Sequence, residues 1–288
     1  MKLPFDKGRI GRRFSTLKTE GSTGLVTFVT GNDPDPTTFK KILSGISAAG
    51  ADILEVGIPF SDPMADGISI QLSSQRALNI GTTIDSIFET ISDLRTTDND
   101  IPIVLMGYFN PIYSYGLENF AKSAAKAGVD GVIVVDLPPE EAEELNNHLR
   151  SHQLNLIFLV APTTDSSRLE LILREASGFL YCVAVKGVTG TNSPEKKKIA
   201  AQVKGIRSKT DMPVAVGFGI RTPEQASELA EFCDAIVVGS AIVDIIAYNA
   251  NKDTYVSDEV ANSVHTFISS LSNRIKDKDQ QNSERWGD

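Results

Sequence analysis

Apolar runs without polar alternation recur along the chain, separated by stretches whose apolar residues return at helical spacing. The runs predict strands at 24–30 (GLVTFVT), 52–57 (DILEVG), 101–107 (IPIVLMG), 130–135 (DGVIVV), 155–161 (NLIFLVA), 179–184 (FLYCVA), 212–216 (MPVAV) and 234–238 (DAIVV). The stretches between them predict helices over 36–49, 83–95, 117–127, 139–152, 165–176, 194–208, 222–229 and 258–271, with an extra amphipathic helix at 10–18. Pro36 suits a first helical turn and Gly50 a stop. Strands apolar on both sides belong to a parallel sheet covered on both faces. Eight such strands, each followed by a helix, fit a closed α/β (β/α)8 TIM barrel better than an open sheet. A phrase of helix end, turn, acid and strand repeats in AAGADILEVGIP, KAGVDGVIVVDLPP and EFCDAIVVG. With no Pro/Gly/Ser-rich linker, residues 1–274 read as one barrel domain. The polar, charged 275–288 (IKDKDQQNSERWGD) reads as a disordered tail.

Composition narrows the partners. A net charge of −9 argues against nucleic acid and anionic membrane surfaces, which need clustered positive charge. No segment is long and apolar enough to span a bilayer, and the basic N-terminus lacks an apolar signal core. Cys182 and Cys233 lie in or beside apolar runs and read as free buried thiols, so a cytoplasmic protein is expected.

Chemistry concentrates in 52–71 (DILEVGIPFSDPMADGISIQ), where Glu55 interrupts a strand and Asp62 and Asp66 follow in a loop. The residues leave two readings: solvated turn acids, or a buried carboxylate retained for use because burying it unpaired is costly. Late in the chain, Gly217-Phe218-Gly219-Ile220 ends strand seven. Gly239-Ser240 ends strand eight and opens a short helix over 241–246. Loop glycines and a helix N-terminus at these two strands are where barrels hold a phosphate; the other reading is tight βα turns. Gly187-Val188-Thr189-Gly190 after strand six is a third contributor, and no early GxGxxG points to a dinucleotide. His148 and His152 have metal-pair spacing, but on a helix expected to face solvent, so no metal is assigned. There is no GxSxG, and the nearest Schiff-base lysine, Lys186, sits in loop six. Glu55 and Asp66 remain as a two-carboxylate system over a phosphate ester, one in an apolar strand and one in a loop, so that their pKa values can separate.

At this point LEVGIPFSDPMADG resembles the signature of the tryptophan synthase alpha chain family. So do MGYFNPIYSYG (106–116), GVDGVIVVDLPPEE (128–141), GVTG (187–190), GFGI (217–220) and VVGSAIV (237–243), in order over about 14–271. The resemblance implies a barrel that cleaves indole-3-glycerol phosphate to indole and glyceraldehyde 3-phosphate. It further implies an alpha2-beta2 complex, in which a beta chain carrying pyridoxal phosphate condenses the indole with serine and this chain holds no cofactor.

By the same resemblance Glu55 and Asp66 are the catalytic carboxylates, and Tyr181 the active-site tyrosine. Gly190, Gly217, Phe218, Gly219, Gly239 and Ser240 form the phosphate cradle. Phe28, Ile70 and Met106 line the indole pocket, and Thr189 meets Asp66 when loop six closes. Pro59, Asp62 and Asn110 face the beta chain. The chain departs from the family at Ala184-Val185-Lys186, at Ile68 and Thr27 where proline is common, and at Gly31-Asn32. Other readings are a stand-alone lyase, a subunit that only activates its partner, and a related phosphate-binding barrel. The last needs a lysine or histidines at strand ends, which are missing here.

Overall fold

The computed structural model describes residues 8–183, 194–217, 219–252 and 254–285. Eight parallel strands close in sequence order, β1 (Gly24–Thr30), β2 (Ile53–Gly57), β3 (Ile103–Gly107), β4 (Gly131–Val134), β5 (Asn155–Val160), β6 (Leu180–Val183), β7 (Val214–Gly217) and β8 (Ala235–Val238), with β8 paired back to β1. The predicted barrel is the observed one. Strand alternation turns Val26, Ile53, Val104, Ile133, Ile157, Ala215 and Val237 into the barrel interior, while the other side of each strand meets the helices. The opening helix, α1 (Arg9–Glu20), closes the floor. Its Ile10, Phe14 and Leu17 join that interior, and Phe14 stacks on Phe179 at 5.6 Å between ring centroids.

The repeated acid has a mechanical reason. Asp52, at the entrance of β2, accepts the Leu25 N–H of β1 at 2.6 Å. Asp130, before β4, accepts Ile103 N–H at 2.8 Å, and Asp234, before β8, accepts Val214 N–H at 2.8 Å. Before β6 the same place is taken by Ser177, which accepts Leu156 N–H at 3.0 Å. Each even strand thus supplies an acceptor for an N–H at the entrance of the odd strand before it. The three acids are also paired with arginines: Arg13 with Asp52, Arg9 and Arg95 with Asp130, Arg207 with Asp234.

Helices follow as predicted over α2 (Pro36–Ile46), α4 (Ile84–Arg95), α6 (Leu117–Ala127), α8 (Ser166–Glu175), α9 (Pro194–Arg207) and α10 (Pro223–Ala230). The 139–152 stretch divides into a 3-10 turn (Pro139–Glu141) and α7 (Glu143–Ser151). Two helices were not expected: α3 (Ile68–Asn79) and the short α5 (Phe109–Tyr115). Their sequences hide them. In α3 the buried residues are Ser73, Ser74 and Ala77, while Ile68 and Leu72 face solvent, the reverse of the usual amphipathic pattern. The helix after β8, α11 (Ser240–Ala250), is longer than the predicted 241–246.

The predicted disordered tail is a correction. The last helix, α12 (Ser257–Arg285), runs through most of it. Ile275 is buried, continuing the stripe of Val264, Ile268 and Leu271, and Asp279 accepts Thr23 N–H at 2.9 Å. One apolar residue at the right phase extends the helix where charge alone suggested release.

Candidate active site

β2 places Glu55 opposite Phe28 of β1 and Val104 of β3, facing into the barrel. Glu55 is 1% exposed, and neither carboxyl oxygen has a hydrogen-bond partner among the described residues. Burial first, and the charge of Asp66 second, push Glu55 up to about 8. At neutral pH it therefore holds its proton.

Asp66 comes from the loop that leaves β2, immediately before Gly67 caps α3. Burial raises it to about 6, against the lowering effect of a hydrogen bond from Tyr108. At pH 7 it is mostly ionised. The two acids are thus close enough to interact and sit on opposite sides of neutrality, which gives one site both a proton donor and an anion.

Tyr108 is a site residue that the sequence reading missed. It is buried just past the end of β3 and accepts Ala65 N–H at 2.9 Å, leaving its own proton for Asp66. Its ring packs on Phe60 at 5.1 Å. Burial, together with the negative charge nearby, lifts its own pKa to about 12, so it remains a donor. A tyrosine at a strand's C-terminal end, inside MGYFNP, was the available signal.

Tyr181 on β6 is half-buried, and burial followed by the charges of Glu55 and Asp66 holds it well above 10. Its hydroxyl lies over Gly217, where a Cβ would fall 2.6 Å away. Phe28 is fitted likewise: a Cβ on Gly57 would meet its ring at 2.6 Å, and one on Gly239 would meet its Cβ at 3.1 Å. Gly217 and Gly57 thus leave room for two neighbouring aromatic side chains, Tyr181 and Phe28, while Gly239 is only a tight neighbour of Phe28, whatever these glycines do for a phosphate. Gly219 has φ 61°, a left-handed turn that favours glycine. Met106 on β3 and Ile70 in the first turn of α3 are partly buried. Gly239 caps α11 without any side chain on its first N–H groups, and Ser240 begins the helix.

Asp62 and Asn110 are exposed, bonded only locally by Ser61 at 2.5 Å and Ser114 at 3.2 Å. Pro59 is buried, so it offers no open surface to a partner in this conformation. Lys186, Thr189, Gly190 and Phe218 lie outside the described residues. His148 and His152 are partly exposed on α7, and no group of metal-ligating side chains gathers among the described residues.

A closed parallel barrel that presents a protonated buried glutamic acid beside a second, ionised carboxyl is an enzyme built for acid–base chemistry on a small molecule. Residues 14–272 match the family model described as the tryptophan synthase alpha chain. A tryptophan synthase alpha chain from Geobacter sp. (strain M21) is 51% identical over 263 residues, covering 91% of this chain and 96% of the relative. One from Acidiphilium cryptum (strain JF-5) is 46% identical over 268 residues, covering 93% and 97%. The crystal structure of tryptophan synthase subunit alpha from Legionella pneumophila str. Paris superposes with a TM-score of 0.85 at 37% identity, covering 94% of this chain and 99% of that one. The chain belongs to the tryptophan synthase alpha chain family, and its function lies in tryptophan biosynthesis.

Proposed function

We propose that this chain cleaves indole-3-glycerol phosphate, with Glu55 as the proton-transfer residue and Asp66 as the anchor for the indole ring. The supporting observation is the unpaired Glu55 carboxyl, raised to about 8, next to Asp66 at about 6. Cleavage needs a proton on indole C3, which turns the ring into an indolenine with positive charge at nitrogen. Glu55 gives that proton. Asp66, ionised, accepts the ring N–H and stabilises the charge as it grows. The glycerol hydroxyl next to the breaking bond then loses its proton to Glu55. The carbon–carbon electron pair returns to the ring, and indole and an aldehyde separate. One proton enters and one leaves, so Glu55 is restored.

Phe28, Met106 and Ile70 line the indole side, with Tyr181 beside the acids. The bare first turn of α11, with Gly239 and Ser240, takes the phosphate together with Gly217 and Gly219. Phe218, Thr189 and Gly190 complete the family's set. The partner is a beta chain, in an alpha2-beta2 assembly whose pyridoxal phosphate belongs to the beta chain. Exposed Met64 (81%) and Ile68 (72%), beside Asp62, offer an apolar surface suited to such a partner. The two free buried thiols fit a reducing, cytoplasmic setting.

Indole release from indole-3-glycerol phosphate, measured with and without a beta chain, tests this. Glu55→Gln and Asp66→Asn are each expected to lower kcat roughly 10²- to 10⁴-fold. Near-normal turnover in either variant overturns that residue's role.

A further inference from the structure

Asp66 sits on a loop, yet its place relative to Glu55 must be held closely for the two acids to share one substrate. The loop over 58–67 starts three residues after Glu55 and ends where α3 begins, so the seating of α3 fixes its far end. Large apolar side chains contribute little of that seating, because Ile68 and Leu72 point outward and the small Ala77 is the buried apolar residue of the helix. What holds α3 is polar. Thr30, the last residue of β1, meets Ser73 Oγ at 2.6 Å, and Ser73 Oγ itself donates to the Ile70 carbonyl at 2.8 Å. Thr30 is therefore the donor. One turn further, Arg76 donates from Nε to Asp33 Oδ1 and from Nη2 to Asp33 Oδ2, both at 2.8 Å. Asp33 is fully buried in the loop after β1.

The near end of the catalytic loop is tied to the same place. Gly57, which ends β2, accepts Gly31 N–H at 2.9 Å. The loop after β1 therefore grips both ends of the segment that carries Asp66. Its next contact reaches α4: Asn32, with φ 59°, donates to Ser86 Oγ at 2.9 Å. A partly buried bidentate ion pair adds little net stability compared with apolar packing, but its two parallel hydrogen bonds accept only one helix position.

We propose that Arg76 and Asp33 are positioning residues: their two-point ion pair, with the Thr30–Ser73 hydrogen bond, fixes α3 against the end of β1 and so sets where Asp66 stands over Glu55. This rests on the reading of Asp66 as a catalytic carboxylate, which Asp66→Asn alone tests.

The experiment is a double-mutant cycle in the complex with the beta chain, reading kcat and KM for indole-3-glycerol phosphate cleavage. Arg76→Lys keeps the charge beside Asp33 but loses the two-point grip. It is expected to lower kcat roughly ten- to hundred-fold with little change in KM. In the Asp66→Asn background the same substitution is expected to cost almost nothing, because the group being positioned is already disabled. Ser73→Ala removes the second tie without stranding a charge and is expected to show the same dependence in milder form. Arg207→Lys, at the floor ion pair with Asp234, controls for lost stability and should leave kcat unchanged. The proposal fails if Arg76→Lys lowers the melting temperature but not kcat, or if its kcat loss is as large in the Asp66→Asn background as without it. Should Arg76→Lys not fold, the same two criteria apply to Ser73→Ala. If Asp66→Asn keeps full activity, the underlying assignment of Asp66 is what fails.

Discussion

At the floor of the barrel, Asp52 and Asp130 are buried, and each is met by an arginine and a backbone N–H. Toward the other end of the same barrel, Glu55 is more deeply buried still and meets neither among the described residues. The difference lies in the partners. Burial raises Asp130 too, but the Ile103 N–H, Arg9 and Arg95 pull against that and tie the carboxyl to the fold; Glu55, without such donors, keeps its proton and is free to give it away. Burial alone does not separate structural from reactive acids in this chain.

Substitutions can break that contrast. The largest change in stability should come from Asp130→Ala, which takes the paired carboxylate from the nearly buried Arg95, leaving it backbone carbonyls only as direct partners, and leaves the Ile103 N–H without its acceptor. A loss of roughly 3–5 kcal/mol in denaturant unfolding is expected, with kcat of the folded fraction unchanged. A fall in kcat larger than the fall in folded fraction would erase the division between the two ends.

Glu55→Gln should act in the opposite direction. Glu55 is raised from 4.5 to about 8 in the fold, so folding favours its protonated form. Its contribution is fully present below pH 4.5 and is lost as pH rises toward 8. Glutamine cannot ionise. The variant should match wild type near pH 4.5 and become the more stable protein at higher pH, by an amount on the order of a few kcal/mol above pH 8. Melting curves at several pH values check this, and a gap that does not widen with pH would contradict the unpaired state of Glu55. The smallest effect is expected from Ser177→Ala, which removes a neutral acceptor. About 1 kcal/mol should be lost, less than for the charged acceptor at Asp130.

The same contrast explains what was legible in the sequence. The barrel was readable because unbroken apolar strands and the repeated acid before β2, β4 and β8 are both chain-local signals. The fourth member of that set was not, since Ser177 does with a hydroxyl what the others do with a carboxylate. Glu55 stood out because a charge inside an apolar strand is costly. Tyr108 did not, because a tyrosine in an apolar setting is unexceptional and its role depends on Ala65 and Asp66 arriving from another loop. Helix α3 was hidden for a related reason: its inner face answers Thr30 and Asp33, polar groups distant in sequence, so its serines face inward and Ile68 outward. The tail failed as a prediction because Ile275 packs on the barrel and two charges beyond it find partners, Lys278 on Glu231 and Asp279 on Thr23.

The floor hydrogen bonds also bear on how the chain reaches its fold. Leu25–Asp52, Ile103–Asp130, Leu156–Ser177 and Val214–Asp234 span 27, 27, 21 and 20 residues. Each joins two consecutive strands, β1 with β2, β3 with β4, β5 with β6 and β7 with β8. Closing loops of that length costs far less conformational entropy than bringing β8 back to β1. The chain is thereby divided into four quarter-barrels, each with its own latch, that can assemble before the ring shuts. In hydrogen exchange, the latched amides of a quarter should gain and lose protection together with their own strand pair.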